Sequence, residues 1–180
     1  PIVFGFMGQV AYHKGVDLLI QAFTRLPRSK ATLQIYGPED AGDGFGASLR
    51  RVAEGYSVYF RGPYAFEKTA EVLRDLDVLV IPSRWGENGP LVMLNALTMH
   101  TPVIVADVEG LTEFIDEGKS GFTFAMGSAA SLEQAMQKFI REPELAAHMS
   151  QTTDFPWTTR RMTEEVLKVY AYAMNRDAAS

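Results

Sequence analysis

The chain has no cysteine. That excludes a disulfide framework, a thiolate metal site and a cysteine nucleophile, and it fits a reducing compartment such as the cytoplasm. Histidine is scarce: His13, His100 and His148 lie far apart, and no Asp/His cluster has metal-ligand spacing. No apolar run approaches the roughly 20 residues of a membrane-spanning helix, and no opening segment reads as a signal peptide. Basic residues number 17 against 22 acidic ones, a net charge of −5, which argues against general nucleic-acid binding. Two glycine motifs are also missing. Without G-x-G-x-x-G, a dinucleotide-binding oxidoreductase has no support. The register His13-Lys14-Gly15 after Gly8 is not that of a P-loop.

What is present suits a folded unit. The 180 residues are 47% hydrophobic and 22% charged, enough to bury the core of one domain spanning 1–180. The chain opens "PIVFGFMG", without methionine and with a strand-like run from its second residue. It is therefore expected to be a piece of a longer protein.

Strand-like runs lie at Ile2–Gly8, Ala31–Gly37, Ser57–Arg61, Val78–Pro82, Val103–Ala106 and Gly121–Ala125. Helix-like runs alternate with them: "KGVDLLIQAFTRL", "FGASLRRVAEG", "AFEKTAEVLRDL", "PLVMLNALTMH" with a proline suited to a first turn, "SAASLEQAMQKFI" and the closing "TTRRMTEEVLKVYAYAMN". The short "LTEFIDEG" lies between the last two strands. Alternation of this kind, with continuous apolar strands, predicts an α/β fold: a three-layer, Rossmann-like, doubly wound parallel sheet of about six strands. Right-handed crossovers give the expected order 3-2-1-4-5-6. Ligands bind such a sheet at the carboxyl ends of its strands, near the switch between strands 1 and 4.

The loops at that edge hold the candidate residues. Lys14 stands at a helix start, where it is either a solvated cation beside a turn glycine or an anion ligand. In "SRWGENGP", Trp85 is either packing or the wall of a cleft. Glu87 either favours the positive end of the next helix or accepts bonds from ligand hydroxyls. Asn88 can cap that helix. The free amides of Leu91 and Val92 would face an anion. Asn95 lies about two turns beyond Glu87, and both can line one cleft.

These segments carry a resemblance. Gly8-Gln9-Val10 with Lys14-Gly15, then "VDLLIQAF", "LQIYGPED", "VYFRG", "LDVLVIPSRWGENGPLV", "TPVIVADVEGLTEFIDEGKSGFTF" and "DFPWTTRRMTEEVLKVYAYAM" follow one another in order and spacing. The chain resembles the C-terminal, donor-binding half of a GT-B glycosyltransferase of the family-four-like retaining type, the glycosyl transferases of group 1. The match covers nearly the whole chain.

The resemblance implies transfer of a sugar from a nucleotide-diphosphate sugar to an acceptor, with retention, with no cofactor and no metal. Lys14 and Glu87 would be the catalytic residues. Lys14 and Gln9, beside Gly8, would hold the diphosphate. Glu87, with Asn88 and Gly89, would meet the transferred sugar. The amides of Leu91 and Val92 would meet diphosphate or sugar, and Asn95 the ribose. The stretch from Arg61 through Gly62, Pro63 and Tyr64 would touch the base. Three positions depart from the family pattern: Gln9 replaces an arginine, Asn95 a glutamate and Glu109 a glycine. The expected partners are the donor, an unspecified acceptor and an N-terminal domain of the same protein, without nucleic acid; peripheral membrane association of the full-length protein stays open. Alone, the chain is expected not to turn over. The stripe Met162, Val166, Val169, Tyr170 and Ala173, on a helix at about 158–175, would pack towards that N-terminal domain. The alternative is a degenerate nucleotide- or partner-binding module without catalysis. A GT-B epimerase or phosphorylase-like enzyme fits the Lys14 and Glu87 pattern less well.

Overall fold

The computed structural model describes residues 1–39, 42, 44–153, 155–156 and 159–177, with side chains omitted at 159, 173 and 175–177. The expectations for Asp154, Trp157 and the Ala173 side chain lie outside what is described. Six parallel strands form one sheet: β1 Ile2–Met7, β2 Ala31–Tyr36, β3 Val58–Gly62, β4 Val78–Ile81, β5 Val103–Ala106 and β6 Gly121–Phe124. Their order is β3-β2-β1-β4-β5-β6, as expected.

Seven helices accompany the sheet among the described residues: α1 Val16–Phe23, α2 Phe45–Val52, α3 Thr69–Arg74, α4 Leu91–Thr98, α5 Ala129–Arg141, α6 Leu145–Thr152 and α7 Thr159–Asp177. Helix α1 packs on α2 and α5, whereas α4 packs on α3, β4 and β5. Helix α6 has no counterpart in the sequence reading. Only Ala146 and Met149 are buried in it, so its apolar periodicity is faint. The stretch "LTEFIDEG" holds one short 3-10 turn, Thr112–Phe114. Pro90 precedes α4 as its N-cap, with extended ψ of 130°, so the helix starts one residue later than the proline suggested.

Strands β4 and β5 are buried throughout, as continuous apolar runs should be. Strands β2 and β3 alternate instead, against the expectation of burial on both faces. The more exposed residues share one face of this strand pair. β3 is an edge strand, and Gln34, Tyr59 and Arg61 keep solvent contact. The core continues on both sides of the centre. Phe139 of α5 is fully buried, edge-on to Phe4 at 6.3 Å and to Phe122 at 5.6 Å between ring centroids. At the amino end, Asp77 ties β1 to β4: its carboxylate accepts from Val3 N–H at 2.7 Å, and its own N–H donates to the Val3 carbonyl at 2.9 Å.

At the carboxyl end the backbones come closer than side chains allow. Gly15, at φ 73°, would place a Cβ 1.9 Å from the Pro82 carbonyl oxygen. Gly127 has nearly the same φ, 74°, with open space around it. Gly127→Ala should therefore cost about 1–2 kcal/mol, the left-handed penalty alone. Gly15→Ala should cost at least about 3 kcal/mol, because a backbone overlap is added to that penalty. Urea unfolding of the two variants checks the difference, and equal costs would remove the close approach as a constraint.

Candidate functional site

The site lies where the winding reverses. β1 leads into the first loop and β4 into the fourth, and a cavity of about 250 Å³ opens between them. Phe6, Met7, Val80 and Ile81 form its floor. Gly8, Lys14, Tyr64, Ser83, Glu87, Pro90, Leu91 and Val92 form its rim. Complete small-molecule sites run to roughly 300–1,000 Å³, so this volume suits one wall of a cleft.

Lys14 ends a 3-10 turn, Tyr12–Lys14, that Gly15 closes in the left-handed conformation. Its Nζ donates to Glu87 Oε1 at 2.7 Å. Ser83 Oγ donates to the same oxygen at 2.5 Å. The side chains of Lys14 and Glu87 are 28% and 12% exposed, so the pair is shielded without being sealed. Burial pushes the Glu87 carboxyl up. The hydrogen bonds from Lys14 and Ser83, the charge of Lys14 and the bond from Trp85 outweigh it, and the carboxyl lies below its ordinary value. Backbone contacts fix Glu87 as well. Its N–H donates to the Glu109 carbonyl at 3.0 Å, and a Cβ on Gly110 would lie 1.6 Å from the Glu87 carbonyl oxygen.

Helix α4 starts at Leu91 without a side-chain cap. The first internal bonds run from Met93 and Leu94 N–H to the Pro90 carbonyl. Among the described residues, the N–H groups of Leu91 and Val92 have no acceptor. Both residues line the cavity that Glu87 and Lys14 border, and an uncapped helix amino end there favours anions. Lys14 has three donors, of which Glu87 takes one. An anion can thus be met from two sides.

The other sequence-derived residues are spread around this centre. Gln9 is exposed and outside the cavity lining. Gly62 ends β3 and Pro63 follows it, neither lining the cavity, while Tyr64 does line it and packs edge-on to Tyr36 at 6.1 Å. Burial raises the Tyr64 phenol, with the Thr69 hydrogen bond opposing. Asn88 and Gly89 border a neighbouring apolar groove of about 590 Å³ between α4 and α7. Asn95 is half-buried on α4 and lines neither space. Four residues beyond Leu91 it sits about 6 Å further along the helix axis. Trp85 is 52% exposed. Its ring meets His13 at 4.4 Å and the Lys14 ammonium at 5.8 Å, so it covers the first loop from outside. Glu109, with Glu87 and Glu113, borders an acidic recess of about 440 Å³.

Sequence reasoning missed Ser83, which is 1% exposed and bonded to Glu87. A serine at a strand end is too common to stand out, and its meaning comes from the loop bringing Glu87 back over it. Among the described residues, no group of three or more His, Asp or Glu side chains could hold a metal ion, and no helix is long and apolar enough to cross a membrane.

The family model described as Glycosyl transferases group 1 matches residues 1–154. The D-inositol 3-phosphate glycosyltransferase of Stackebrandtia nassauensis is 30% identical, over 99% of this chain and 43% of that protein. The glycogen synthase of Mycobacterium tuberculosis is 29% identical, over 86% of this chain and 39% of that protein. The chain thus spans about two-fifths of the length of these relatives. Among solved structures, Anabaena HepE in complex with UDP and glucose superposes with a TM-score of 0.80 at 19% identity, over 95% of this chain and 48% of that one. That likeness shows the fold, the Rossmann-like half of a GT-B architecture.

The Glu87 carboxylate sets a pH dependence. Its folded value is depressed, so its contribution to stability is complete above the ordinary glutamate value of about 4.3 and is lost as pH falls through the lowered folded value. Denaturant unfolding of wild type and Glu87→Gln across pH 7 to 3 should show a stability gap that closes on acidification. A gap that stays constant would mean that Glu87 is not held as an ion.

Proposed function

The chain belongs to the glycosyl transferases group 1 family, and on that premise we propose that it is the donor-binding part of a glycosyltransferase using a nucleotide-diphosphate sugar. One juxtaposition carries the reading. The Lys14 ammonium, the Glu87 carboxylate and the undonated amides of Leu91 and Val92 share one cavity at the carboxyl ends of β1 and β4. In this proposal the diphosphate lies on the amino end of α4 and takes donors from Lys14. Glu87 accepts hydroxyls of the transferred sugar. Charge that develops on the leaving diphosphate is met by Lys14 and the helix amides, without a metal, and the sugar keeps its anomeric configuration. Tyr64 and the backbone from Gly62 to Pro63 border the nucleoside, and Asn95 serves the ribose.

The acceptor site belongs, in the same proposal, to an N-terminal domain of a longer protein. The length of the relatives supports this, since the chain covers 43% and 39% of them. So does α7, which exposes Met162, Val166, Val169 and Tyr170. The chain by itself then binds donor without turning it over. A second reading, a degenerate nucleotide- or partner-binding module, is favoured by Gln9, Asn95 and Glu109. Transfer or donor hydrolysis by the full-length protein separates the two.

Calorimetry with uridine, guanosine and adenosine diphosphates should detect weak binding by the chain, and failure of all three at millimolar concentration would remove the site. Lys14→Ala should weaken diphosphate binding much more than nucleoside binding, and salt should shrink the difference. Equal losses would assign Lys14 to loop structure.

Asn95 can be tested by ribose preference. A carboxylate accepts both hydrogens of a diol, whereas an amide offers one acceptor oxygen and a donor group. The deficit at Asn95 is on the order of 1–2 kcal/mol, or about 5- to 30-fold in affinity. Asn95→Glu should restore part of it, and Asn95→Glu with Gln9→Arg should gain more than the sum of the single changes. An unchanged preference for ribose over deoxyribose diphosphates in Asn95→Glu would take Asn95 out of the ribose site.

A further inference from the structure

Arg84 follows Ser83 on the fourth loop, outside the cavity lining, and it grips the first loop at several points. Its N–H donates to the His13 carbonyl at 2.9 Å. Its guanidinium donates to both carboxylate oxygens of Asp17, at 2.6 and 2.7 Å. The same group donates to the Tyr12 carbonyl at 2.6 Å and lies 4.1 Å from the centre of the Tyr12 ring. The side chains of Arg84 and Asp17 are 21% and 29% exposed. Tyr12 starts the 3-10 turn that ends in Lys14, and Asp17 stands in the first turn of α1. Arg84 therefore holds the chain on both sides of Lys14 and Gly15.

We propose that Arg84 is the positioning residue of the site: it latches the first loop to the fourth and so keeps the Lys14 ammonium against the Glu87 carboxylate. What the pair is for rests on the donor-site reading; the latch itself does not. Lysine carries its charge on a flexible four-carbon stem, so its place depends on where its backbone is held. A forked guanidinium on a carboxylate fixes direction as well as distance, which an ammonium cannot copy. The hydrogen bonds to Asp17 hold the Arg84 guanidinium above its ordinary value against the effect of burial, so the latch stays charged. Without the fork, the first loop keeps only backbone contacts, the Arg84 N–H on the His13 carbonyl and the approach of Gly15 to Pro82, and the Lys14 stem is held less firmly. Glu87 would keep Ser83 and Trp85 and remain shielded, but its contact with the cation would weaken. The groups that face it are Lys14 from the first loop, Ser83 and Trp85 from its own, the amides of α4, and Glu109 and Glu113 from the segment after β5.

Two readouts test the latch on the chain as it stands. Carbon-detected NMR titration of the Glu87 carboxyl needs no ligand. Arg84→Met should raise its midpoint from its lowered position towards the ordinary value, and Arg84→Lys should not restore it. Arg28→Met, which removes an exposed stack on Tyr56 at 4.3 Å, controls for a general loss of stability and should leave the midpoint unchanged. If Arg84→Met does not fold, Asp17→Asn weakens the same fork and is read in the same way. Calorimetry with the three nucleoside diphosphates forms the second arm. Arg84→Met should lower affinity about tenfold, and Lys14→Ala should cost little more in that background. The latch is overturned if the Glu87 midpoint does not move in a folded variant, or if Lys14→Ala costs as much with Arg84→Met as without it. If wild type binds none of the diphosphates, the donor reading fails and the Glu87 midpoint by itself decides the latch.

Discussion

Parallel strands cannot be joined by hairpins, so every connection in this sheet crosses over one of its faces. With the order β3-β2-β1-β4-β5-β6, the winding direction reverses once, between β1 and β4. There the chain leaves one strand towards α1 and the other towards α4, on opposite faces. The loops diverge, and a cleft opens between them while the core beneath stays intact. Phe6, Met7, Val80 and Ile81 are both the top of that core and the floor of the cleft. Everything placed on the rim depends on this one reversal.

The rim puts two kinds of negative charge in competition for the same donors. Glu87 sits before the amino end of α4 and holds one donor of Lys14, with Ser83 adding a second bond to the same oxygen. A bound anion would draw on the remaining donors of Lys14 and on the amides of Leu91 and Val92. Shielding from water strengthens both interactions, while the ionised carboxyl remains stable only through its partners. Backbone contacts too close for side chains bring the loops together, at Gly15 against Pro82 and at Gly110 against Glu87, and the Arg84 fork on Asp17 adds to them.

The departures from the family pattern fall on different parts of this surface. Gln9 is exposed and lies outside the cavity lining. Glu109 lends its carbonyl to the Glu87 N–H and borders an acidic recess, so its backbone has a structural role whatever its side chain does. Asn95 stands on α4 and lines neither the cavity nor the neighbouring groove. These changes leave the centre made by Lys14, Glu87 and α4 intact, and they act on what surrounds it.

Much of the fold was legible in the chain itself. Six apolar β-branched runs, separated by helical periodicity, dictate a parallel sheet, and the handedness of crossovers leaves few orders to choose from. Helix α6 was not legible, because two buried residues in eight make no clear stripe. Nor was the half-exposure of β2 and β3, since which face of a strand is covered is decided by the packing around the sheet rather than by local pattern. In the site, Lys14 and Glu87 could be singled out because they stand in the loops at the carboxyl ends of strands 1 and 4, where such a sheet binds ligands, and because the family resemblance falls on them. Ser83 and the Arg84–Asp17 fork could not, because their meaning lies in partners 4 and 67 residues away in sequence. Local sequence determined the elements and their chemistry, through periodicity and propensity that act over a few residues. The meeting of the first and fourth loops was decided only by the tertiary structure, because contacts at that separation exist only once the sheet has formed between them.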